Sequence, residues 1–240
     1  MKNKPASIWI THHKGFSLVE LMISLVIGVV IMTGVLKVYA TTINGNTHSL
    51  MLSRVSQEIR SILDIMKNDI QRSGYWGNAA MNGDNPFGDI VINDTKSCIS
   101  YTYDANNDSV LDQPGDMFGF RLNNGAVQMR TNANACDNPD NTADIWQTIT
   151  DPDTVTITDL SFSKIVDCTN MSTEPYTPCN QDEVGAYTGD NKAPTSGDSI
   201  INITTINIQL QAQSKQNSHI TMTLADSTML RNEVVSTVPN

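Results

Sequence analysis

The chain has 240 residues, a length that suits one globular domain together with a further segment. It contains 25 Asp and Glu residues against 15 Lys and Arg, so its formal net charge at pH 7 is −10. Because an acidic surface repels phosphate backbones, this composition argues against direct nucleic-acid binding.

The most distinctive stretch runs from Lys14 to Leu36. It begins with a basic residue and a glycine and is then apolar for about 20 residues, enough to cross a bilayer. One acid, Glu20, lies near its start. Inserting a carboxylate near the bilayer core costs roughly 2.5–3.5 kcal/mol on insertion scales, so an acid within such a span indicates a functional role. Residues 1–15 are basic and contain no acid, so the positive-inside rule places them in the cytoplasm.

Three interpretations of this start compete. The first is a signal peptide cleaved near Val38-Tyr39-Ala40, and the second is an uncleaved membrane anchor. In the third, a short leader is removed before the apolar run and the span is kept. An acid at the head of the run serves no purpose in an ordinary signal peptide, which favours the third interpretation.

The segment Lys14-Gly15-Phe16-Ser17-Leu18-Val19-Glu20 resembles the signature of type IV prepilins. The resemblance implies that a prepilin peptidase cuts between Gly15 and Phe16 and N-methylates Phe16. It also implies that Glu20 faces the amino terminus of a neighbouring subunit in a filament. A buried carboxylate needs such a cationic partner, whereas the competing view is that Glu20 only reaches the membrane interface.

The helix is predicted to continue beyond the span. Apolar residues recur every three or four positions from Leu52 to Ile70, so this stripe should pack on a sheet. Residues 41–46 (TTINGN) are poor helix formers and predict a local weakening, and Gly74 is a natural C-terminal stop. The segment 69–77 (DIQRSGYWG) resembles the turn after the long helix of PilW-type minor pilins. No proline lies between Pro5 and Pro86, which argues against an abundant shaft subunit.

Beyond residue 77, alternating segments separated by turns are typical of antiparallel strands. The turn Asn123-Asn124-Gly125 predicts a hairpin. Ser199–Ser214 is the clearest strand, and its isoleucines, predicted to be core residues, keep a period of two except for one slip at Thr204-Thr205 that a bulge would explain. The other predicted strands are 90–92, 98–103, 117–122, 126–130, 154–165 and a last pair, 220–224 and 227–235. Within the last of these, residues 228–232 (TMLRN) resemble the strand that closes PilW- and pseudopilin-type domains.

Four cysteines lie after the apolar run. An even number in an exported domain indicates two disulfides with three possible connectivities. Sequential pairing, Cys98–Cys136 and Cys168–Cys179, is favoured because it closes local loops. Free buried thiols are the alternative.

One loop has the residue spacing of a calcium site. Its candidate ligands stand at alternate positions: Asp104, Asn106, Asp108, the carbonyl of Val110, and Asp112. Ser109 replaces the usual turn glycine, and Gly115 stands where a bidentate acid is expected, although Asp116 is adjacent. The alternative is an Asn/Asp-rich turn between two strands.

The sequence offers little support for catalysis. His48 and His219 are the two histidines after residue 15, they are far apart, and none of the common nucleophile, phosphate-binding or metalloprotease motifs is present. The chain is therefore predicted not to be an enzyme and to require no cofactor, with a calcium ion as the one candidate ligand.

The resemblance implies an α+β pilin-like fold in which a long helix packs on an antiparallel sheet. The predicted parts are a leader (1–15), the membrane-spanning half of the helix (16–40), its amphipathic half (41–74) and an extracytoplasmic β-rich domain (75–240). The implied function is that of a minor pilin, held in the inner membrane before assembly and located at or near the pilus tip afterwards. The implied partners are prepilin peptidase, other minor and major pilins, and a PilY-type adhesin.

Two other functions remain open. A minor pseudopilin of a type II secretion system shares the leader, the helix and the closing strand. A secreted calcium-dependent binding domain with an ordinary cleaved signal is the more distant alternative.

Overall fold

The computed structural model describes residues 15–77, 85–88, 90–112, 115–130, 136, 146–180, 191–232 and 235–238. These residues form one long helix, α1 (Leu18–Ile70), and ten strands. The strands are β1 (Ile90–Ile92), β2 (Cys98–Thr102), β3 (Met117–Asn123), β4 (Ala126–Arg130), β5 (Trp146–Thr148), β6 (Val155–Asn170), β7 (Thr177–Pro178), β8 (Ser199–Ser214), β9 (Thr221–Met229) and β10 (Val235–Thr237).

The strands form two antiparallel sheets. Sheet A has the order β1-β2-β3-β4-β5. Sheet B has the order β10-β8-β6-β7, and β9 also pairs with β8. The two sheets are joined along β6, where the Phe162 N–H donates to the Lys96 carbonyl at 2.8 Å and the Ile157 N–H donates to the Gly125 carbonyl at 2.8 Å. This arrangement confirms the α+β pilin-like class.

Helix α1 runs without interruption through residues 41–46, so the predicted weakening there is wrong. The threonine hydroxyls bond back to the helix: Thr41 Oγ1 donates to the Lys37 carbonyl and Thr42 Oγ1 to the Val38 carbonyl, both at 2.9 Å. Residues of low helix propensity within a long helix only have to extend a helix that already exists. Extension avoids the free-energy cost of nucleating a new helix. The helix ends at Ile70, and Gly74 then adopts φ 75°, as expected for a C-terminal stop.

The core lies between α1 and the inner faces of both sheets. The helix contributes the predicted stripe from Val55 onward, whereas Leu52 remains 40% exposed. The cluster contains Val55, Ile59, Ile62, Leu63, Met66 and Ile70 of α1, Ile99, Tyr101, Phe118, Phe120 and Val127 of sheet A, and Ile157, Leu160, Phe162, Ile206, Ile208 and Leu210 of sheet B.

The hairpin between β3 and β4 is confirmed. Asn123 pairs with Ala126, so Asn124 and Gly125 form a two-residue turn, with φ values of 49° and 76°. Positive φ at both positions is what the twist-compatible hairpin turn requires.

The predicted bulge at Thr204-Thr205 is wrong, because β8 keeps its register with β6 through both residues. The register shifts instead within β6, between Ile157 and Asp159. On β8 the buried positions run from Thr204 in steps of two, while Ile201 and Ile203 belong to the opposite face and lie outside the core. The slip in the isoleucine pattern therefore marks a change of face rather than an extra residue.

Three smaller differences concern the strands. The predicted pair 220–224 and 227–235 is one continuous strand, β9, followed by the separate strand β10. Strand β6 extends beyond the predicted end at residue 165, to Asn170. Strands β5 and β7 are absent from the predicted set, because three and two residues offer too short a pattern.

The structure contains disulfides between Cys98 and Cys136 and between Cys168 and Cys179, which is the sequential pairing. The chain divides into two compact units, Met1–Ser49 and Leu50–Asn240. The predicted boundaries at residues 15, 40 and 74 stay predictions.

Candidate processing and assembly site

The candidate site begins where α1 starts. Gly15 and Phe16 precede the helix, and the Ser17 carbonyl accepts the first helical hydrogen bond, from the Leu21 N–H at 3.1 Å. Ser17 is therefore the N-cap residue, and Glu20, three positions later, has the spacing of a capping box. The same sequence that resembles a processing signal thus also gives the helix a favourable N-cap.

Glu20 lies in the first turn of α1 and is exposed to solvent. Its carboxylate is near the positive end of the helix dipole, which stabilises negative charge. Within the described part of the chain, no ion pair involves Glu20. The side chain is thus available to a cationic group of another molecule.

The surface around and beyond Glu20 is apolar. Phe16 is 86% exposed, and the large apolar side chains from Leu18 to Tyr39 are all more than half exposed. By length and composition α1 can cross a membrane, and none of its most apolar stretch is buried within the structure. Gly34 leaves an open groove along this surface, lined also by Ile31, Val35 and Val38. Such a helix needs lipid or other helices around it.

The predicted calcium loop lies against the turn that follows α1. Asp104 is buried, and its carboxylate accepts three backbone N–H groups, from Gly77 at 3.0 Å, Asp108 at 3.1 Å and Ser109 at 3.0 Å. Asn107 and Ser109 both have positive φ, so the chain turns tightly around this carboxylate.

The remaining predicted ligands are held in the same loop. The buried Asp116 carboxylate accepts the N–H groups of Ala105 and Asp112, at 3.0 and 2.9 Å. Asp116, which is adjacent to the position expected for a bidentate acid, thus closes the loop. Asp108 Oδ2 accepts from Asn106 Nδ2 at 2.7 Å, and Asp108 Oδ1 from the Val110 N–H at 2.9 Å.

These bonds use side-chain oxygens of three of the predicted ligands, Asp104, Asn106 and Asp108, for contacts within the chain. Among the described residues, no three His, Cys, Asp or Glu side chains come together in a metal-binding group. Calcium binding by Asp104, Asn106, Asp108, Val110 and Asp112 stays a prediction, and the observed bonds are those of a hydrogen-bonded turn.

A polar cluster at the end of α1 was not foreseen from the sequence. The largely buried carboxylate of Asp69 accepts a short hydrogen bond from the Tyr101 hydroxyl and a longer one, at 3.3 Å, from the Tyr103 hydroxyl. Arg72 Nη1 lies 3.5 Å from Asp69 Oδ1, and the guanidinium carbon is 4.0 Å from the centre of the Tyr103 ring. Tyr103 in turn stacks on Phe118.

The cluster joins the helix to sheet A. Burial, followed by the negative charge of Asp69, raises the pKa of Tyr101 well above its usual value. The same causes, in the same order, raise the pKa of Tyr103. Both phenols therefore remain neutral donors to Asp69, and the Gly74 N–H adds a backbone bond to the Thr102 carbonyl at 3.0 Å.

Comparison with known protein families finds two matches, one of which covers the start of α1. The prokaryotic N-terminal methylation motif matches residues 10–36, which include Gly15, Phe16 and Glu20. The family described as prepilin peptidase-dependent protein B matches residues 48–230, most of the second unit. No curated protein and no solved structure matches the chain.

The two matches account for different parts of the structure. The motif covers the exposed apolar start of α1, and the family covers the amphipathic half of the helix together with nine of the ten described strands. Processing by a prepilin peptidase and assembly with other pilins are the properties that these families share, and pilin-like families are structural rather than catalytic. The chain belongs to the prepilin peptidase-dependent protein B family and is a type IV pilin-like protein.

Proposed function

We propose that this chain is a non-catalytic minor pilin that primes the assembly of a type IV pilus. The observation that carries the proposal is the start of α1, where a capped helix presents Glu20 and an apolar surface that the rest of the described structure does not cover. No covalent chemistry by this chain is needed, because its task is to present a helix to other helices.

Maturation begins at the peptide bond between Gly15 and Phe16. A Cβ added at Gly15 would meet no atom within 4 Å, and Phe16 is almost fully exposed, so the bond is open to a membrane peptidase. Cleavage makes Phe16 the first residue, and N-methylation leaves its amine cationic. Before assembly, the apolar half of α1 holds the subunit in the inner membrane, with the β-rich domain in the periplasm.

The amine that cleavage exposes on Phe16 explains the need for Glu20. A cationic amine at a helix N-terminus lies at the positive end of the helix dipole, which is unfavourable. Between packed helices it is also removed from water, where an unpaired charge is strongly penalised. The Glu20 carboxylate of a neighbouring subunit compensates both effects.

The assignment to a minor rather than a major pilin is the finer part of the proposal. It is supported by the absence of proline from the apolar run and by the uninterrupted helix through residues 41–46. As a PilW-type subunit, the chain would act with other minor pilins and a PilY-type adhesin at or near the tip. It would serve adhesion, twitching motility or DNA uptake.

The first test is the mature amino terminus. Mass spectrometry of the protein from cell membranes should find a chain that begins with N-methylated Phe16. A mature chain beginning at Thr41 would contradict the proposal and would indicate an ordinary signal peptide. A second readout compares protein secretion and pili in cells that lack this chain. If its loss blocks secretion and leaves pili intact, the chain is a pseudopilin of a type II secretion system.

The second test is Glu20→Ala. We expect normal membrane insertion but at least ~10-fold less protein in sheared filaments, because removing one partner of a buried charge pair costs about 3–5 kcal/mol. Asp64→Ala is the matched control, since Asp64 is an exposed acid on the same helix. Equal recovery of both variants in filaments would remove the role given to Glu20.

A further inference from the structure

The outer face of sheet B, the face that points away from the core, consists of two halves with different chemistry. Residues directly opposite each other on paired antiparallel strands share a face, so the register defines it. On β6 the outer-face positions from the bulge onward run from Asp159 to Thr169 in steps of two, and on β8 they run from Gln211 to Ile201.

The half nearer the bulge is polar. Its rows pair Asp159 with Gln211, Ser161 with Gln209, and Ser163 with Asn207. Strand β9 continues these rows with Thr223, Ala225 and Ser227. This composition is typical of a sheet face exposed to water.

The other half is apolar. Ile165 and Met229 flank Thr205 in one row, Ile203 lies opposite Asp167 in the next, and Val235 and Thr169 flank Ile201 in the third. We call these apolar residues the isoleucine patch: Ile165, Ile201, Ile203, Met229 and Val235. Ile165 is 49% exposed, Met229 54% and Val235 54%, while Ile201 and Ile203 are partly exposed.

The fold does not require these side chains to be apolar. None of them belongs to the core cluster or packs against it. The slip in the β8 pattern arises here, because Ile201 and Ile203 leave the core face on which Ile206, Ile208 and Leu210 lie. An exposed apolar patch bordered by polar rows is typical of an interaction site.

The charge of the patch restricts its partner. At the register positions of this half, Asp167 is the one charged residue among the described strands, and it lies beside Ile203. It is exposed, and its carboxylate accepts one hydrogen bond, from Asn180 Nδ2 at 3.1 Å. A second copy of the chain would bring another Asp167 and another net charge of −10 to the same interface, so repulsion disfavours it.

We propose that the isoleucine patch binds a different extracytoplasmic protein, through an apolar surface of that protein that carries a Lys or Arg opposite Asp167. The apolar residues supply the buried area, and the ion pair sets the position and excludes acidic partners. This inference deepens the proposed function and rests on it for the extracytoplasmic location of the domain.

The test places a photo-crosslinking amino acid in the full-length protein in living cells. Positions Ile165 and Met229 report on the patch, and Ser161 and Thr223 are matched controls on the polar half of the same two strands. We expect adducts from the patch positions at least ~5-fold more abundant than from the controls. The crosslinked peptide, identified by mass spectrometry, should come from another protein and contain apolar residues with a Lys or Arg.

The ion pair is tested with Asp167→Lys, which should lower the patch adducts at least ~5-fold because it brings two cations together. Asp159→Lys, an exposed acid on the same face in the polar half, should leave them unchanged. If a loss of protease resistance shows that Asp167→Lys has not folded, Asp167→Asn is the second variant. It removes the charge with less change in shape and should also lower the amount of patch adducts.

Four results would overturn the proposal: equal adducts at patch and control positions, adducts with a second copy, adducts within the same chain, or no effect of the Asp167 variants. These are separable from failure of the proposed function. If Phe16 is methylated and filaments contain the protein, but the patch gives no adduct, the patch alone is refuted.

Discussion

At the scale of single residues, the buried carboxylate of Asp69 is the group whose hydrogen bonds are expected to matter most for the stability of the fold. Two tyrosine hydroxyls and Arg72 surround its carboxylate. The buried charge is therefore satisfied by three donors, which come from β2, the residue after it and the turn after α1. Low-dielectric surroundings make such a network strong when it is complete and costly when one member is missing.

Tyr101→Phe removes the closest of these donors without changing the shape of the ring. We expect a loss of about 1–3 kcal/mol in the free energy of unfolding, because the Asp69 carboxylate is left underpaired in the core. Urea unfolding measures the effect. Tyr75→Phe is the control, because its hydroxyl bonds to Asn107 at the surface at 2.9 Å and its removal should cost less than about 0.5 kcal/mol. Equal losses of unfolding free energy in the two variants would show that the buried hydrogen bond to Asp69 stabilises the fold no more than a surface hydrogen bond does.

At the scale of elements, the contact between α1 and β9 is held by an ion pair. Lys67 Nζ lies 2.6 Å from Asp226 Oδ2, at the edge of sheet B where α1 passes. The hydrogen bond from Lys67, followed by that from the Ser227 N–H, lowers the pKa of Asp226. Both side chains are partly exposed, so the expected energy is small.

Asp226→Asn should therefore cost no more than about 1 kcal/mol at pH 7, the range of exposed pairs. The folded-state pKa is depressed, so this stability is present above the unfolded pKa of about 3.9 and is lost as pH falls through the folded value. The difference between the original protein and the variant should thus vanish in acid. Unfolding curves from pH 7 to pH 2 measure it, and a difference that persists at the acid end would exclude the ion pair as its cause.

At the scale of the whole molecule, the chain divides between Ser49 and Leu50. The first fully buried residue of α1 is Val55, and the large apolar side chains before residue 50 contribute exposed surface rather than core. The stability of the β-rich domain therefore depends on the part of the helix after this point.

A chain that begins at Ser49, where serine can serve as N-cap, should be soluble without detergent. We expect a melting temperature within about 2–4 °C of the full chain, the shift that 1 kcal/mol produces in a domain of this size. A chain beginning at Ser61 is the control, because it also lacks the buried Val55 and Ile59 and should melt far lower. Thermal unfolding of all three, in one detergent, would contradict this division if both shortened chains behaved alike.

Local patterns were sufficient for several parts of the structure. The apolar run, the stripe of α1 from Val55, the turn at Asn124-Gly125 and the bounds of β8 follow from periodicity and turn chemistry, which act over a few residues. The prepilin-like start is also local, since Gly15, Phe16, Ser17 and Glu20 are close together in sequence. The slip in the apolar pattern of β6 between Ile157 and Leu160 is a local signal as well, and it coincides with the register shift, which the isoleucine pattern had predicted for β8.

Other features depend on which segments meet in space. The bonds of Asp69 to Tyr101 and Tyr103 span more than thirty residues, and no spacing rule connects them. Asp104 has the spacing of a calcium ligand, but the tertiary structure brings backbone N–H groups to both of its oxygens, one of them from Gly77.

The sequence by itself therefore determined the apolar run, the prepilin motif and the long helix, because each is a local pattern of hydrophobicity and charge. The tertiary structure decided how the strands divide into two sheets, and it showed that the isoleucine slip on β8 is a change of face. The reason is physical: a strand pattern shows that two faces differ, but only the pairing with β6, β9 and β10 shows which face the core covers.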